Sequence, residues 1–187
     1  MGVLKVTFNI PQIADPGQSQ RADDLRDLLD AVLEAHAGSA LENNCVSSAA
    51  VQNCNTGNPG TLNGIASAIL SLGSVHAPVR EARMVWKMDG DVIYRMLKDG
   101  VTVPGFGNGF FPGGDPKWFP VRDILRAKFR AVYDRLGDRY LTMSQKSDTL
   151  WPNAAMYTAI LCELLNVPDG QESLIVIMAR MPAWFEL

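Results

Sequence analysis

Apolar residues recur at helical spacing through most of this chain, and this pattern limits the folds that the chain can adopt. From residue 19 onward, leucines and a valine repeat every three or four positions and mark one face of an amphipathic helix. Only residues 3–10, VLKVTFNI, alternate apolar and polar side chains as a strand does. Similar helical patterns predict further helices at 40–51, 61–73, 79–87, 91–98, 120–136, 149–166 and 170–180. We therefore expect a mostly α fold with a short N-terminal strand.

Turn and cap residues predict where several of these helices begin and end. Thr61 and Asp91 are N-cap residue types at the start of helical patterns. Gly137 is predicted to end the helix that starts at residue 120, because glycine commonly terminates helices. Thr149 and Pro152 are predicted to open the helix that follows.

Size and charge narrow the class of protein. The chain has 187 residues, of which 47% are hydrophobic and 20% charged, as in an ordinary globular protein. We expect a strand and loop at 1–18 and one helical domain at 19–187. Seventeen basic and twenty acidic residues give a net charge of −3, so no basic field favours nucleic acid or an anionic membrane as partner. No apolar run reaches the roughly 18 residues of a membrane span.

The cysteines argue against a disulfide or zinc scaffold. The chain has 3 cysteines, none of them in a CxxC pair, and 2 histidines, His36 and His76. We therefore expect no metal and a location in the reducing cytoplasm. Cys45 could act as a nucleophile, but neither histidine is near it in sequence, which favours a buried apolar role.

The segment VPGFGNGFFPGGDPKWFP at 103–120 contains the glycine loop, which we define as residues 103–114. Five of these twelve residues are glycines, and they give a backbone that a ligand can approach closely. The segment contains no GxxxxGK[ST] motif, so it is not a nucleotide P-loop. The glycine loop is predicted to bind a ligand; a purely structural turn is the alternative.

The order of several motifs resembles that of the citrate synthase and citryl-CoA lyase family. VHAPVRE at 75–81 is similar to the family's LHGGAxE, PGFGNG at 104–109 to PGFGHR, and DPK at 115–117 to DPR. An Asn-x-x-x-Tyr helix start and an ARMPAW segment follow, so the resemblance covers roughly residues 25–187. It implies a citrate-synthase-like multi-helical fold.

The resemblance also implies a reaction and its residues. In this family an acyl-CoA thioester is condensed with a keto acid or released from one, and both molecules would be ligands here. His76 matches the histidine that polarises the thioester carbonyl, although a core histidine is the alternative. The family's loop backbone binds CoA, and its triplet carries a basic residue near the phosphates. The matching residues here are Gly105, Phe106, Gly107 and Lys117, while Glu42 and Asn44 match keto-acid-binding positions.

Several positions depart from the family's pattern. Asn108 replaces the loop histidine, and Gly109 replaces the arginine beside it. Ala155 stands where the family has the aspartate that removes the α-proton, and Leu41 replaces a keto-acid-binding histidine. Asn108 can donate a hydrogen bond but cannot change charge near neutral pH, and Ala155 can do neither. The standard citrate reaction is therefore not expected.

Two hypotheses follow from these departures. In one, the chain is an enzyme with altered chemistry, in which His76 and Asn108 donate hydrogen bonds and Glu42, Asp115 or Asp148 replaces the base. In the other, the chain is a catalytically inactive relative that binds a ligand or another protein. The resemblance implies a dimer through packed helices, either a homodimer or a heterodimer with a homologue, and the small residues of 61–73 are compatible with such packing.

Overall fold

The computed structural model describes residues 16–40, 49–52, 61–72 and 78–185. Eight helices of seven residues or more lie within these ranges, and residues 49–52 are also helical. They are α1 (Pro16–Ala40), α2 (Thr61–Leu70), α3 (Val79–Lys87), α4 (Gly90–Lys98), α5 (Phe119–Lys128), α6 (Arg130–Ser144), α7 (Ala154–Leu164) and α8 (Ser173–Trp184). A 3₁₀ turn, Pro116–Trp118, precedes α5. The mostly α fold is confirmed; the strand predicted at 3–10 lies outside the described residues.

Helix α7 forms the centre of the core. Every residue from 155 to 162 is buried, as expected of a helix that is apolar on all sides. Helices α1 and α3 pack against α7, and α1 also packs against α8 and α5. Helix α6 packs on α4 and α5. Helix α2 lies against α8, where Ile65 and Ala68 share a smaller apolar cluster with Trp184.

A buried ion-pair cluster joins three of these helices. Arg83 on α3, with 8% of its side chain exposed, binds the carboxylates of Glu163 and Glu172 and lies 3.1 Å from Asp169. Cys162 is buried beside the cluster, and burial raises the pKa of its thiol to about 12. This cluster holds α3 against α7 and α8, and the buried thiol is unsuited to nucleophilic chemistry.

The helix predicted at 120–136 is two helices, so that prediction was wrong. The break falls at Phe129, whose φ and ψ angles are −127° and 54°, and α6 continues through Gly137 to Ser144. A helix tolerates an interior glycine at about 1 kcal/mol, so Gly137 did not end it. At the break, Lys128 holds the end of α5 to α1 through Asp24 and Asp27.

Other helix ends also differ from the predictions. Asp89, not Asp91, caps α4, because its Oδ1 accepts from the N–H of Asp91 at 2.8 Å. Helix α7 begins at Ala154, after both Thr149 and Pro152. Helix α1 starts at Pro16, since proline is tolerated in a first helical turn. Helix α2 ends at Leu70 and α8 continues to Trp184, whereas α3 spans 79–87 as predicted.

Candidate functional site

The glycine loop links α4 to the 3₁₀ turn, and two of its glycines determine its path. Gly105 and Gly107 have φ angles of +92° and +84°, which side-chain-bearing residues rarely adopt. A Cβ atom at Gly105 would lie 2.7 Å from Cε of Met156 and 3.1 Å from Cβ of Ala82. The loop backbone therefore touches α7 and α3 where no side chain fits.

Asn153 ties the glycine loop to the start of α7. Its backbone N–H donates to the carbonyl of Gly105 at 3.0 Å, and its Nδ2 donates to the carbonyl of Gly107 at 2.9 Å. Its Oδ1 accepts from the N–H of Ala155 at 3.0 Å, which caps the helix. One asparagine therefore fixes both the loop and the first turn of α7.

Phe106 adds an apolar contact to this junction. Its side chain is buried, and its backbone pairs with Pro152 as an isolated antiparallel bridge. The N–H of Gly107 donates to the carbonyl of Trp151 at 2.7 Å in the same pairing. Phe106 is thus a packing residue at this junction.

Asn108 follows the fixed part of the loop and is partly exposed. Its Oδ1 accepts from the N–H of Phe110 at 2.9 Å, which closes a local turn. Its Nδ2 group makes no hydrogen bond within the described residues, so it can donate to a ligand. Because Gly107 is bonded to Asn153, Asn108 lies close to the first turn of α7.

Ala155 occupies that first turn and leaves it without an acid or base. Its side chain is 4% exposed. Of the predicted substitute bases, Asp115 is 9% exposed and already binds Lys117, with 3.0 Å between Nζ and Oδ1. Asp148 is exposed in the segment before α7. The described residues therefore place no unpaired buried carboxylate beside Ala155.

Lys117 lies at the far end of the glycine loop, in the 3₁₀ turn. Its Nζ is 4.6 Å from the ring centre of Phe111, in addition to the ion pair with Asp115. Its chain passes α1 at Gly38, where a Cβ would meet Cδ of Lys117 at 3.4 Å. The ammonium group is thus held in place on one side of the loop. It can bind an anionic ligand only by giving up its ion pair with Asp115.

Three predicted site residues, His76, Glu42 and Asn44, lie outside the described residues, as do Leu41 and Cys45. The structure therefore brings Gly105, Phe106, Gly107, Asn108 and Ala155 together and leaves the other half of the predicted site as a prediction. Within the ranges that the structure describes, no three His, Cys, Asp or Glu side chains form a metal-binding group.

His36 on α1 lies behind the first turn of α7, and sequence reasoning gave it no role at the site. It is 1% exposed, and its Nε2 lies 2.7 Å from Oγ1 of Thr158. Because the Thr158 hydroxyl donates to the carbonyl of Ala154 at 2.8 Å, it accepts from His36, which fixes the proton on Nε2. Trp118 meets the imidazole edge-on at 4.9 Å.

Burial keeps His36 neutral. Its pKa falls from 6.5 to about 3 because burial disfavours the imidazolium, and the positive charge of Arg180 adds to this effect. The sequence held a signal for its position, since His36 follows Leu29 and Val32 on the apolar face of α1. His36 therefore supports α7 from behind.

The fold and the junction define a multi-helical protein in which a glycine loop is fixed against a helix N-terminus. The family model for the citrate synthase C-terminal domain matches residues 9–185. The chain therefore belongs to the citrate synthase family. No curated protein sequence matches it.

Two solved structures share the fold. Citryl-CoA lyase from Hydrogenobacter thermophilus superposes with a TM-score of 0.73 at 17% identity, over 94% of this chain and 75% of that one. ATP citrate lyase from Methanothrix soehngenii, solved in complex with citrate and coenzyme A, gives a TM-score of 0.68 at 12% identity. That match covers 85% of this chain and 30% of the lyase chain. Within the described residues, no helix has the length and apolar character needed to cross a membrane.

Proposed function

We propose that this protein binds an acyl-CoA thioester at the glycine loop but does not carry out the standard citrate reaction. The observation that carries the proposal is the junction at Asn153, which holds the loop backbone beside a helix start that has Ala155 in place of a base. Gly107 is partly exposed and has no side chain, so a ligand can approach its backbone. Family membership supports CoA as the ligand.

The chemistry of the site supports binding over turnover. A thioester α-proton is weakly acidic, so its removal needs a base paired with a donor that faces the enolate oxygen. Asn108 offers such a donor, and His76 is the second donor that we propose. Ala155 offers no base, and Asp115 is paired with Lys117. Glu42 and Asn44 would hold a keto acid, and Lys117 the CoA phosphates.

Calorimetric titration with acetyl-CoA tests this proposal. We expect the affinity for acetyl-CoA to fall at least tenfold in Gly107→Ala. An alanine there would be strained at the native φ of +84°, and its Cβ would lie 3.3 Å from Cδ2 of Leu150. Gly100→Ala is the matched control, since Gly100 lies outside the glycine loop, has a φ of +76°, and its Cβ would meet no atom within 4 Å. Equal affinity in both variants, or no binding by the wild type, would overturn the proposal.

Deuterium exchange separates binding from chemistry. Acetyl-CoA in D₂O should keep its methyl protons with the wild type, because no base is present at Ala155. The variant Ala155→Asp should accelerate exchange, since the N-terminus of α7 would favour a carboxylate there. Ala155→Asn is the control without a charge. Exchange by the wild type would instead favour the altered enzyme, with Glu42 or Asp148 as base.

A second observation supports a dimer formed through α2. Leu62 and Leu70 are 75% and 85% exposed, and with exposed Ala66 they form a stripe on one face of this helix. The helix carries no charged residue, and an exposed apolar stripe of this kind marks an interface. We propose that two copies pair through it, because a twofold interface uses the same patch twice.

Sedimentation velocity tests the dimer. The double variant Leu62→Glu, Leu70→Glu should sediment as a monomer at concentrations where the wild type sediments as a dimer. Met84→Glu is the control, since Met84 is 55% exposed on α3, away from the stripe. A wild type that stays monomeric at 100-fold varied concentration would contradict the proposal.

A further inference from the structure

A cleft lies between α5, α6 and the segment that leads into α7. Its volume is about 410 Å³, within the range of small-molecule pockets. The rings of Tyr140 and Trp151 pack together in its wall, with centroids 4.5 Å apart and planes tilted by 36°. We call it the aromatic cleft; the residues that define it here are Arg122, Tyr133, Asp138, Tyr140, Trp151 and Tyr157.

Tyr157 is a mostly buried residue that lines the aromatic cleft and can present its hydroxyl there. The residue is only 5% exposed, and its ring stacks on Trp118 with centroids 5.7 Å apart and planes 3° from parallel. Its hydroxyl makes no hydrogen bond with any residue in the described part of the chain. Because Tyr157 lines the cleft and its oxygen is not sealed off inside the protein, a molecule in the cleft can bond to this hydroxyl.

Arg122 lines the same cleft as Tyr157. Burial raises the pKa of Tyr157 to about 12, and the positive charge of Arg122 opposes the rise. Arg122 contacts its exposed neighbour Asp123 at 3.3 and 3.4 Å, and its guanidinium lies over the ring of Phe119 with Cζ 4.5 Å from the ring centre, a stacking contact that uses none of its N–H donors. Its guanidinium therefore keeps donors for a ligand.

The other charges at the cleft limit the charge of that ligand. Arg130 is engaged by Asp134 through contacts of 2.8 and 3.0 Å. Asp138 adds a second negative charge to the lining. The two arginines and two aspartates of the lining cancel, and Asp123 beside Arg122 adds a further negative charge. A ligand with several negative charges is therefore not attracted, whereas one anionic group can pair with Arg122.

We propose that the aromatic cleft binds a small aromatic monocarboxylate. Its carboxylate accepts from the Tyr157 hydroxyl and the Arg122 guanidinium, and its ring packs against Tyr140 and Trp151. This ligand is separate from acyl-CoA, because residues 155 and 157 are about 200° apart around α7 and face different sides. Trp151 also accepts from Gly107, so the cleft adjoins the glycine loop without including it.

Calorimetric titration with naphthalene-2-carboxylate tests the proposal, with uncharged naphthalene-2-methanol as the matched probe. We expect the carboxylate to bind at least tenfold tighter than the alcohol, and Tyr157→Phe and Arg122→Gln each to weaken it about tenfold. Arg126→Gln, on the same helix with 59% of its side chain exposed, should leave binding unchanged. Tyr157→Phe keeps the ring that stacks on Trp118, so its fold should persist.

Three results would overturn the proposal: no binding of the carboxylate, equal binding of the alcohol, or an unchanged affinity in Tyr157→Phe. Titration of the same variants with acetyl-CoA should give wild-type affinity. The aromatic cleft and the glycine loop can therefore fail or succeed independently.

Discussion

Replacing Gly105 with alanine should destabilise the fold through two separable effects. A residue with a Cβ at the φ angle of +92° is strained by about 1–2 kcal/mol. The new Cβ would lie 2.7 Å from Met156 and 3.1 Å from Ala82, and such overpacking costs about 1–3 kcal/mol more. We expect a total loss of about 2–5 kcal/mol, which lowers the Tm of a chain of this size by roughly 5–15 °C.

Gly100→Ala isolates the first of these effects. Gly100 has a φ of +76°, and a Cβ there would meet no atom within 4 Å. Urea unfolding of the two variants and the wild type should show a loss of about 1–2 kcal/mol for Gly100→Ala and a larger loss for Gly105→Ala. Equal losses in the two variants would refute the claim that packing against Met156 and Ala82 excludes a side chain from the loop.

Three further predictions concern other parts of the structure. Between pH 7.5 and 5.0 the wild type should lose about 2 kcal/mol more stability than His36→Phe. The reason is that His36 binds a proton below pH 6.5 in the unfolded chain but stays neutral in the folded protein, where its pKa is about 3. Urea unfolding at each pH measures this difference, and parallel pH profiles of the two proteins would contradict it. Arg83→Ala should lose about 3–5 kcal/mol because Glu172 stays buried without its partner, whereas exposed Arg80→Ala should change stability by less than about 0.5 kcal/mol. Asn153→Ala should lower stability by about 1–2 kcal/mol and weaken acetyl-CoA binding; unchanged affinity would mean that the loop holds its position without Asn153.

The helical spacing of apolar residues predicted the helices well, because burial of one apolar face decides where a helix forms. Helix α3 spans the predicted residues since four of its five apolar side chains face the core, Met84 being the exposed one. The break at Phe129 was missed because no proline or glycine marks it; packing of α6 on α4 and α5 determines it. Gly137 was wrongly predicted to end a helix. The local preference of glycine for a helix end was overridden by the same packing, so α6 continues through it.

The site was predicted in part for a similar reason. The glycines of the loop signal an unusual backbone by themselves. Three of the five, Gly105, Gly107 and Gly114, carry a positive φ, and the first two of these lie at the junction. The sequence placed Asn153 only within a family motif and did not predict its role in holding the loop. Its bonds to Gly105 and Gly107 join residues that are 46 or more positions apart in the chain. Sequence spacing alone does not encode such contacts.

The bonds of Asn153 also determine how the loop moves. A segment whose carbonyls at Gly105 and Gly107 are both bonded to the first turn of a helix does not swing open as a lid. The amides of Gly107, Asn153 and Ala155 should therefore show similar protection against deuterium exchange, since breaking any one of these bonds loosens the others. A ligand would meet a preformed surface, so its association should be fast and nearly independent of loop motion.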